Sequence, residues 1–542
     1  MGKLKKSSFL EGAFIATACI FISKILGIVY VIPFKQIIGD QGGALYGYAY
    51  NIYNVFLTVS SVGIPFAICK LTSEYSALGQ LDKKLRMYRI ATRIITVFSI
   101  LSFLICFLFA EPLAKLIIGE IEGGNSMADV VFVIRCISFT LLIVPLLSIK
   151  RGYLQGHKYI SQPSLSQVIE QLIRIVVILI GSFIFVKLFN SVRNAVGISV
   201  MAAGVGALIA FAYLSSVVRK SREELSLDRK ITRTRESDRD IIKDIIVCAI
   251  PFIIINLANT LYTSTDMILV LKFLPRLGFS GQETEFISSV FTTWGTKFNA
   301  IITAVSTGLI VSLIPHIVSD YTKGNHEQVN INFNKCLKMI LLIITPLSLF
   351  ISLMANSFWT VFYGKSEFGP KIIRFTILVT ILDCLYMVLN SLMQSLNKKH
   401  IIYISVISGL VLNLVLDVPC MYLFRTLGLD AYYGAIFATL CGFIVSNSMS
   451  LIYLRRNMRL NYRETLRTLP RVIFSLLILL VMGVAFNILL PTHTSSRILQ
   501  IVIIAISGIF CGGVYFIINI KAICSVLPEK LVSKLRLSRF AG

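Results

Sequence analysis

The sequence predicts an all-α integral membrane protein with about 14 transmembrane helices, and three observations carry that reading. The chain has 542 residues, of which 56% are hydrophobic and 15% charged, with a mean hydropathy of +0.80, far from the balance of a soluble domain. Its apolar runs are mostly about 20 to 28 residues long, enough to cross roughly 30 Å of hydrocarbon as helices. Its basic residues collect in short stretches between those runs, where topology places them. Alternating ten-residue segments are missing, which excludes a barrel.

In chain order the spans fall at 10–38, 44–70, 90–118, 129–150, 165–188, 194–218, 242–272, 285–314, 334–356, 371–396, 400–424, 431–454, 469–490 and 496–521. The N-terminal Lys3, Lys5 and Lys6 imitate a signal peptide, yet the apolar run continues to Ile38, so it is read as a retained first helix. With the N-terminus inside, the inside loops hold Lys83, Lys84, Arg86 and Arg89, then Lys150, Arg151 and Lys158, then Lys398 and Lys399, then Arg455, Arg456, Arg459, Arg463, Arg467 and Arg471. Lys530, Lys534, Arg536 and Arg539 follow in the tail. The loop after span three carries Glu111, Glu120, Glu122 and Asp129 against Lys115 and reads as outside. An even count with both termini cytoplasmic satisfies all of these.

The halves repeat. Ser60-Ser61 with Ser73-Glu74-Tyr75 returns as Ser306-Thr307 with Ser319-Asp320-Tyr321, and Val133-Ile134-Arg135, Leu154-Gln155 and Ser166 return as Ile372-Ile373-Arg374, Met393-Gln394 and Ser405. Six spans and an inside linker return the chain to its starting side, so the repeats are parallel and build two pseudo-symmetric six-helix lobes. The expected domains are an N-lobe at 1–218, a charged cytoplasmic linker at 219–241, a C-lobe at 242–456, and a C-terminal helix pair with a basic tail at 457–542. Two such lobes around a cavity are the layout of an alternating-access transporter.

The net charge of +25 resides in loops without aromatic interleaving, which argues against nucleic acid as a partner. The eleven cysteines contain no CxxC pair and read as packing residues. His326-Glu327 lacks a second histidine, and neither a P-loop nor a nucleophile elbow is present, so no enzyme constellation emerges.

Ionisable residues inside spans are therefore the functional candidates. Lys24 is the only charged residue between Glu11 and Lys35. A cation at that depth costs roughly 3 kcal/mol on insertion scales, so it should line a cavity or enter a buried pair. Lys297, midway along span eight, offers a second positive charge from the other lobe, and the two suit a phosphate-bearing substrate. Glu170 and Arg174 stand four apart on one face of span five, the spacing of a structural pair. Arg135 and Arg374 sit near helix ends and read as snorkelling anchors. Asp266, Asp383, Asn413 and Asp417 form an acidic set in the second half; they can cage a hard cation or serve as interhelical hydrogen bonds.

Ser23-Lys24-Ile25-Leu26-Gly27 with Tyr30-Val31-Ile32-Pro33-Phe34, then Gly42-Gly43-Ala44-Leu45-Tyr46 and Arg151-Gly152-Tyr153-Leu154-Gln155-Gly156-His157, resemble the Gram-positive branch of the MurJ/YtgP-type lipid II flippases, within the multidrug/oligosaccharidyl-lipid/polysaccharide exporter superfamily. The resemblance covers nearly the whole chain. It implies fourteen helices, with a final pair forming a groove for a polyprenyl tail, and a bacterial plasma-membrane location. It implies that Lys24 and Lys297 are the cavity cations, and that Asp266, Asn413 and Asp417, with the Ala435 carbonyl and Thr439, are the counterparts of a sodium site. Span two departs from the pattern, because Tyr46 to Cys69 carries no charge where relatives have an arginine. The expected activity is flipping of lipid II, the polyprenyl-pyrophosphate-linked precursor of peptidoglycan, by alternating access, with no required cofactor and sodium as a candidate ion. A monomer in contact with membrane lipids is expected, with cell-wall synthesis proteins as candidate partners. The alternatives are a flippase for a capsule, teichoic or spore-cortex precursor, a cation-coupled drug exporter, whose first lobe needs an acid where Lys24 stands, and a scaffold that recruits cell-wall enzymes.

Overall fold

A computed structural model of the chain describes Cys19 and residues 22–118, 124–221, 225, 237–492 and 494–526. The terminal basic residues at 3–6 and 530–539, Glu120, Glu122 and most of the charged linker lie outside the described residues.

Every regular element among the described residues is helical. After a helical stretch at 22–29 come α1 (Val31–Leu57), a π turn at Thr58–Val62, α2 (Gly63–Ala77), α3 (Leu81–Leu108), α4 (Ala110–Ile118), α5 (Met127–Ser138), α6 (Thr140–Gly156), α7 (Ser161–Phe189) and α8 (Val192–Lys220). Beyond the linker lie α9 (Asp238–Phe273), α10 (Gly281–Ser289), a π turn at Val290–Trp294, α11 (Thr296–Thr322), α12 (His326–Met339), α13 (Thr345–Leu353) and α14 (Ala355–Tyr363). The chain then forms α15 (Phe368–Ser395), α16 (Lys399–Thr426), α17 (Tyr432–Asn457), α18 (Arg463–Leu489) and α19 (Arg497–Cys524).

Twelve helices among the described residues are long and apolar enough to cross a membrane. One of them, Val31–Ser76, is interrupted at Gly39, where φ is 69° and ψ −164°. That backbone is open to glycine and strained for an L side chain, so Gly39 makes the turn between the first and second spans. α11 adds an apolar stretch at 300–318 with no acidic or basic side chain apart from His316. The sequence reading counts these two separately, as spans one and eight, to reach fourteen.

The helix ends correct the loop assignment. Lys83, Lys84, Arg86 and Arg89 belong to the first turns of α3, Lys150 and Arg151 to α6, and Arg463, Arg467 and Arg471 to α18. Apolar runs mark the hydrocarbon, whereas a helix satisfies its own backbone and continues beyond it, so basic residues next to an apolar run can belong to the helix.

Packing divides the chain into two compact units, Met1–Trp294 and Gly295–Gly542. In the first, α7 and α8 pack along their length, and α2, α3, α6, α8 and α9 share a core that includes Ile68, Tyr75, Met87, Tyr153, Leu214 and Ile245. In the second, α16 pairs with α17 and α11 packs on α15. The last pair, α18 and α19, docks there through Leu342, Leu479, Cys511 and Tyr515, with Asn519 donating to Ser475 at 2.8 Å and Asn487 to the Leu353 carbonyl at 2.8 Å. The repeat is visible in the helices. Shifting α7 and α8 by the 239 residues that separate Arg135 from Arg374 reproduces the bounds of α16 and α17 to within two residues.

Within the first unit, α1 comes close to the π turn at Val290–Trp294. A Cβ on Gly43 would lie 2.2 Å from the Trp294 ring, and one on Gly47 2.5 Å from the Thr292 hydroxyl. Thr293 Oγ1 donates to the Gly43 carbonyl at 3.3 Å. Trp294 is fully buried and its indole cannot yield, so Gly43→Ala is expected to cost about 1–3 kcal/mol through overpacking. Thermal unfolding of the purified protein measures this, and Trp294→Leu in the same chain should recover part of the loss.

Candidate functional site

The first unit holds a buried charge cluster built on α6 and α7. Ser166, Glu170 and Arg174 recur at a spacing of four and so share one face of α7. Arg174 Nη2 donates to Glu170 Oε1 at 2.5 Å, while Arg151 Nη2, from the end of α6, lies 2.9 Å from Glu170 Oε2. One carboxylate thus bridges two guanidiniums. Arg151 Nε donates to Ser166 Oγ at 2.8 Å, and that hydroxyl donates to the Pro163 carbonyl at 2.6 Å, which fixes the arginine's rotamer. Their side chains are 15%, 12% and 23% exposed for Arg151, Glu170 and Arg174.

The face is set by the helix. Leu165, Leu172, Val176 and Ile180 are exposed and mark the outer, apolar side of α7; Arg174 is two residues from both Leu172 and Val176 and so lies on the opposite side. A tyrosine row from α1 supplies the neighbouring wall. Tyr46, Tyr50 and Tyr53 are in sequential ring contact, with centroids 4.5 and 5.7 Å apart, on a helix that packs against α7. These phenols occupy the span in which the sequence offered no charge.

Lys24 lies in the helical stretch at 22–29 and is half-buried. Gly27, one turn on, faces α7: a Cβ there would lie 3.3 Å from Gln171 Nε2, and Gln171 directly follows Glu170. The first helix is thereby docked on the stretch of α7 that carries the arginine cluster. Lys297 belongs to the second unit, half-buried in the first turn of α11.

A second buried acid anchors one end of the first unit. Glu285 on α10 is 2% exposed and accepts from the Asn125 backbone N–H at 2.9 Å, the Asn125 amide at 3.0 Å and the Tyr48 hydroxyl at 3.2 Å. Asn125 also donates to the Gln41 carbonyl at 3.0 Å. Lys35 pairs with Asp40, and its ammonium lies 5.1 Å from the Phe286 ring and 5.0 Å from Trp294. One carboxylate therefore ties the segment at 124–125 to α1 and α10. Sequence reading missed Glu285 because it sits at the edge of a span, and missed Arg151 because it looked like a loop residue.

In the second unit, Asn413 and Asp417 are fully buried on α16, and Asn413 Nδ2 donates to Thr439 Oγ1 on α17 at 3.1 Å. α16 and α17 form an antiparallel hairpin, so Asp417, one turn after Asn413, is level with Ala435, one turn before Thr439. The approach is close, because a Cβ on Gly434 would meet the backbone of Cys420 and Met421 at 2.3 to 2.5 Å. Asp383 is half-buried on α15, beside the Leu382 carbonyl that accepts from Asn447 at 2.9 Å. Asp266 is buried on α9 in the first unit. Among the described residues no three His, Cys, Asp or Glu side chains gather as metal ligands, so a cation site here depends on Asn413, Thr439 and carbonyl oxygens beside Asp417.

Comparison with known proteins places this geometry. The model of the polysaccharide biosynthesis protein family matches residues 9–306, and the MatE model matches residues 251–418. The chain is 29% identical to the lipid II flippase MurJ of Bacillus subtilis (strain 168) over 552 aligned positions, covering 99% of this chain and 100% of that one. In fold it is similar to a lipid II flippase MurJ in an inward closed conformation, with a TM-score of 0.61 and 14% identity over 93% of this chain and 99% of that one. It is also similar to an inward-facing multidrug resistance MATE family transporter, with a TM-score of 0.64 and 12% identity over 82% of this chain and 98% of that one.

Removing the Glu285 carboxylate leaves a buried amide, a backbone N–H and a phenol without their acceptor. Glu285→Ala should lower stability by about 2–4 kcal/mol, with Glu285→Gln, which keeps one acceptor oxygen, losing less. Thermal unfolding and limited proteolysis between α4 and α5 read both effects; an unchanged melting point for Glu285→Ala would remove the anchoring role.

Proposed function

The chain belongs to the polysaccharide biosynthesis protein family and is a multi-pass membrane transporter rather than an enzyme, and from that premise we propose that it flips a lipid-linked glycan precursor, lipid II, across the bacterial plasma membrane. The observation that carries the reading is Lys24, a cation inside an otherwise uncharged apolar helix, on the helix that docks against the arginine cluster of α7. A pyrophosphate-linked headgroup is multiply anionic and needs positive charge to leave water, whereas a polyprenyl tail needs none and stays in lipid. A cationic drug would meet repulsion at the same place. The likeness to the Bacillus subtilis flippase, end to end along both chains, supports the same cargo.

In this mechanism the headgroup enters from the cytoplasmic side, its phosphates contact Lys24 in the N-lobe and Lys297 in the C-lobe, and rocking of the lobes releases it outside. Both termini are cytoplasmic, as the distribution of basic residues requires. Asn413, Asp417 and Thr439 with the Ala435 carbonyl are hard oxygen donors of the type that holds a sodium ion. A bound cation there would add positive charge to the C-lobe and bias its conformations.

Wild type is expected to rescue a strain depleted of its lipid II flippase, whereas Lys24→Ala, at equal membrane level, should not, and Lys24→Arg should retain activity because the charge is kept. Failure of well-expressed wild type would move the cargo to another polyprenyl-linked glycan; rescue by Lys24→Ala would remove Lys24 from the site. For the cation, sodium rather than potassium should raise the melting temperature of the purified protein, and Asp417→Asn should abolish that shift.

A further inference from the structure

We propose that Arg151, Glu170 and Arg174 form an anion-exchange site in which Glu170 holds the place of a phosphate, and that the diphosphate of a lipid-linked substrate displaces its carboxylate from the two guanidiniums. The inference rests on the lipid-diphosphate reading above and assigns it a second point of contact beside Lys24.

Three features set the cluster apart from an ordinary helix-stabilising pair. The first is its charge. Two guanidiniums and one carboxylate leave one positive charge, buried in a membrane helix bundle. A purely structural pair would be neutral, because each buried ion costs several kcal/mol that its partners must offset. The second is geometry. Glu170 offers one oxygen to each arginine, at 2.5 and 2.9 Å, so its carboxylate sits between two guanidinium forks. Tetrahedral phosphate has the same demand for two converging forks and more oxygens with which to meet it. Arg174 Nε is buried and has no hydrogen-bond partner in the protein, which leaves a donor that one carboxylate does not use.

The third feature is access. Arg174 keeps 23% exposure on the side of α7 opposite its apolar outer face, and both α1, which bears the tyrosine row, and the helix that carries Lys24 approach α7. Arg151 is held in place by Ser166, so it can receive an anion without losing its position. Tyr50 is half-buried and completes the wall with a phenol able to donate to a phosphate oxygen. On exchange, Glu170 gives up two charge-assisted contacts while the incoming diphosphate gains at least as many. No bond is made or broken, and the cargo can leave because Glu170 competes for its place.

The test compares binding of a short-chain polyprenyl diphosphate with that of the matching polyprenol, to the full-length protein in nanodiscs, for wild type and single variants. Arg174→Gln should weaken diphosphate binding roughly tenfold or more, the loss expected for one charge-assisted partner. Glu170→Gln should strengthen it, because the competitor is gone, and polyprenol binding should change in neither. A structural triad predicts a different outcome for Glu170→Gln, with both variants weakening diphosphate binding together, and that result overturns the proposal. Should Glu170→Gln fail to fold, Glu170→Asp withdraws the carboxylate by one methylene and should likewise tighten diphosphate binding; a weaker or unchanged affinity overturns the site. The probe carries no sugar, so a chain that transports a glycan other than lipid II still passes. Wild type that binds diphosphate and alcohol equally fails, whatever its cargo.

Discussion

Hydrocarbon offers no hydrogen bonds, and every polar group that this chain carries into the membrane must be answered by another part of the chain. The fold obeys that constraint at many positions, with Arg174 Nε, Ser99 Oγ and Thr140 Oγ1 among the buried exceptions. Helices satisfy the backbone, and serines and threonines return their hydroxyls to carbonyls one turn back, as Ser199 does to Ala195 at 2.6 Å and Ser507 to Ile503 at 2.6 Å. What cannot be answered locally is answered across helices: Asn519 by Ser475, Asn413 by Thr439, Glu285 by Asn125 and Tyr48. In lipid such polar contacts, together with close approach at small residues, replace the hydrophobic effect as the force that chooses neighbours. Gly43 against Trp294 and Gly434 against the backbone of α16 are the small-residue half of that rule.

The same constraint explains where the structure departs from minimal cost. A neutral pair would have served α7 for stability, yet the chain places a third charged residue, Arg151, on Glu170 and adds a row of phenols beside Arg174. It also places a lysine, Lys24, inside the apolar first helix. Excess positive charge in a low-dielectric interior is a standing cost that only an anion relieves. Stability alone therefore does not account for Arg151 on this pair, and an anionic cargo is the role proposed for it.

Most of the fold was legible because its determinants are local. Runs of apolar residues set the spans, and the repeat of Arg135 as Arg374 predicted the spacing of helix pairs that the structure reproduces. The site was legible only in part. Glu170 and Arg174 could be paired from their spacing of four, since a helix makes that contact by itself. Arg151 could not be joined to them, because its contact depends on how α6 turns into α7, and a basic residue just beyond an apolar run looks like a topogenic charge. Glu285 failed for the same reason: its partners Asn125 and Tyr48 are 160 and 237 residues away. Tyr46, Tyr50 and Tyr53 carried a signal that the reading did not use, three phenols on one face of the span that lacked the expected charge.

In the proposed cycle charge also supplies a direction. The proposed site draws on three cations, Lys24, Arg151 and Arg174, and one carboxylate, Glu170. A diphosphate diester carries about two negative charges, so the loaded site is close to neutral and largely indifferent to the membrane potential. The empty site is not. Moving one charge through 100 mV is worth roughly 2.3 kcal/mol, and an inside-negative potential draws an empty cationic site back toward the cytoplasm. In that proposal the step that the potential accelerates is the return, and the cargo crosses outward on a carrier that it has itself discharged. A lysine and two arginines restrained by one glutamate meet both needs, since they attract an anion strongly enough to take it from water and keep a competitor at hand to release it.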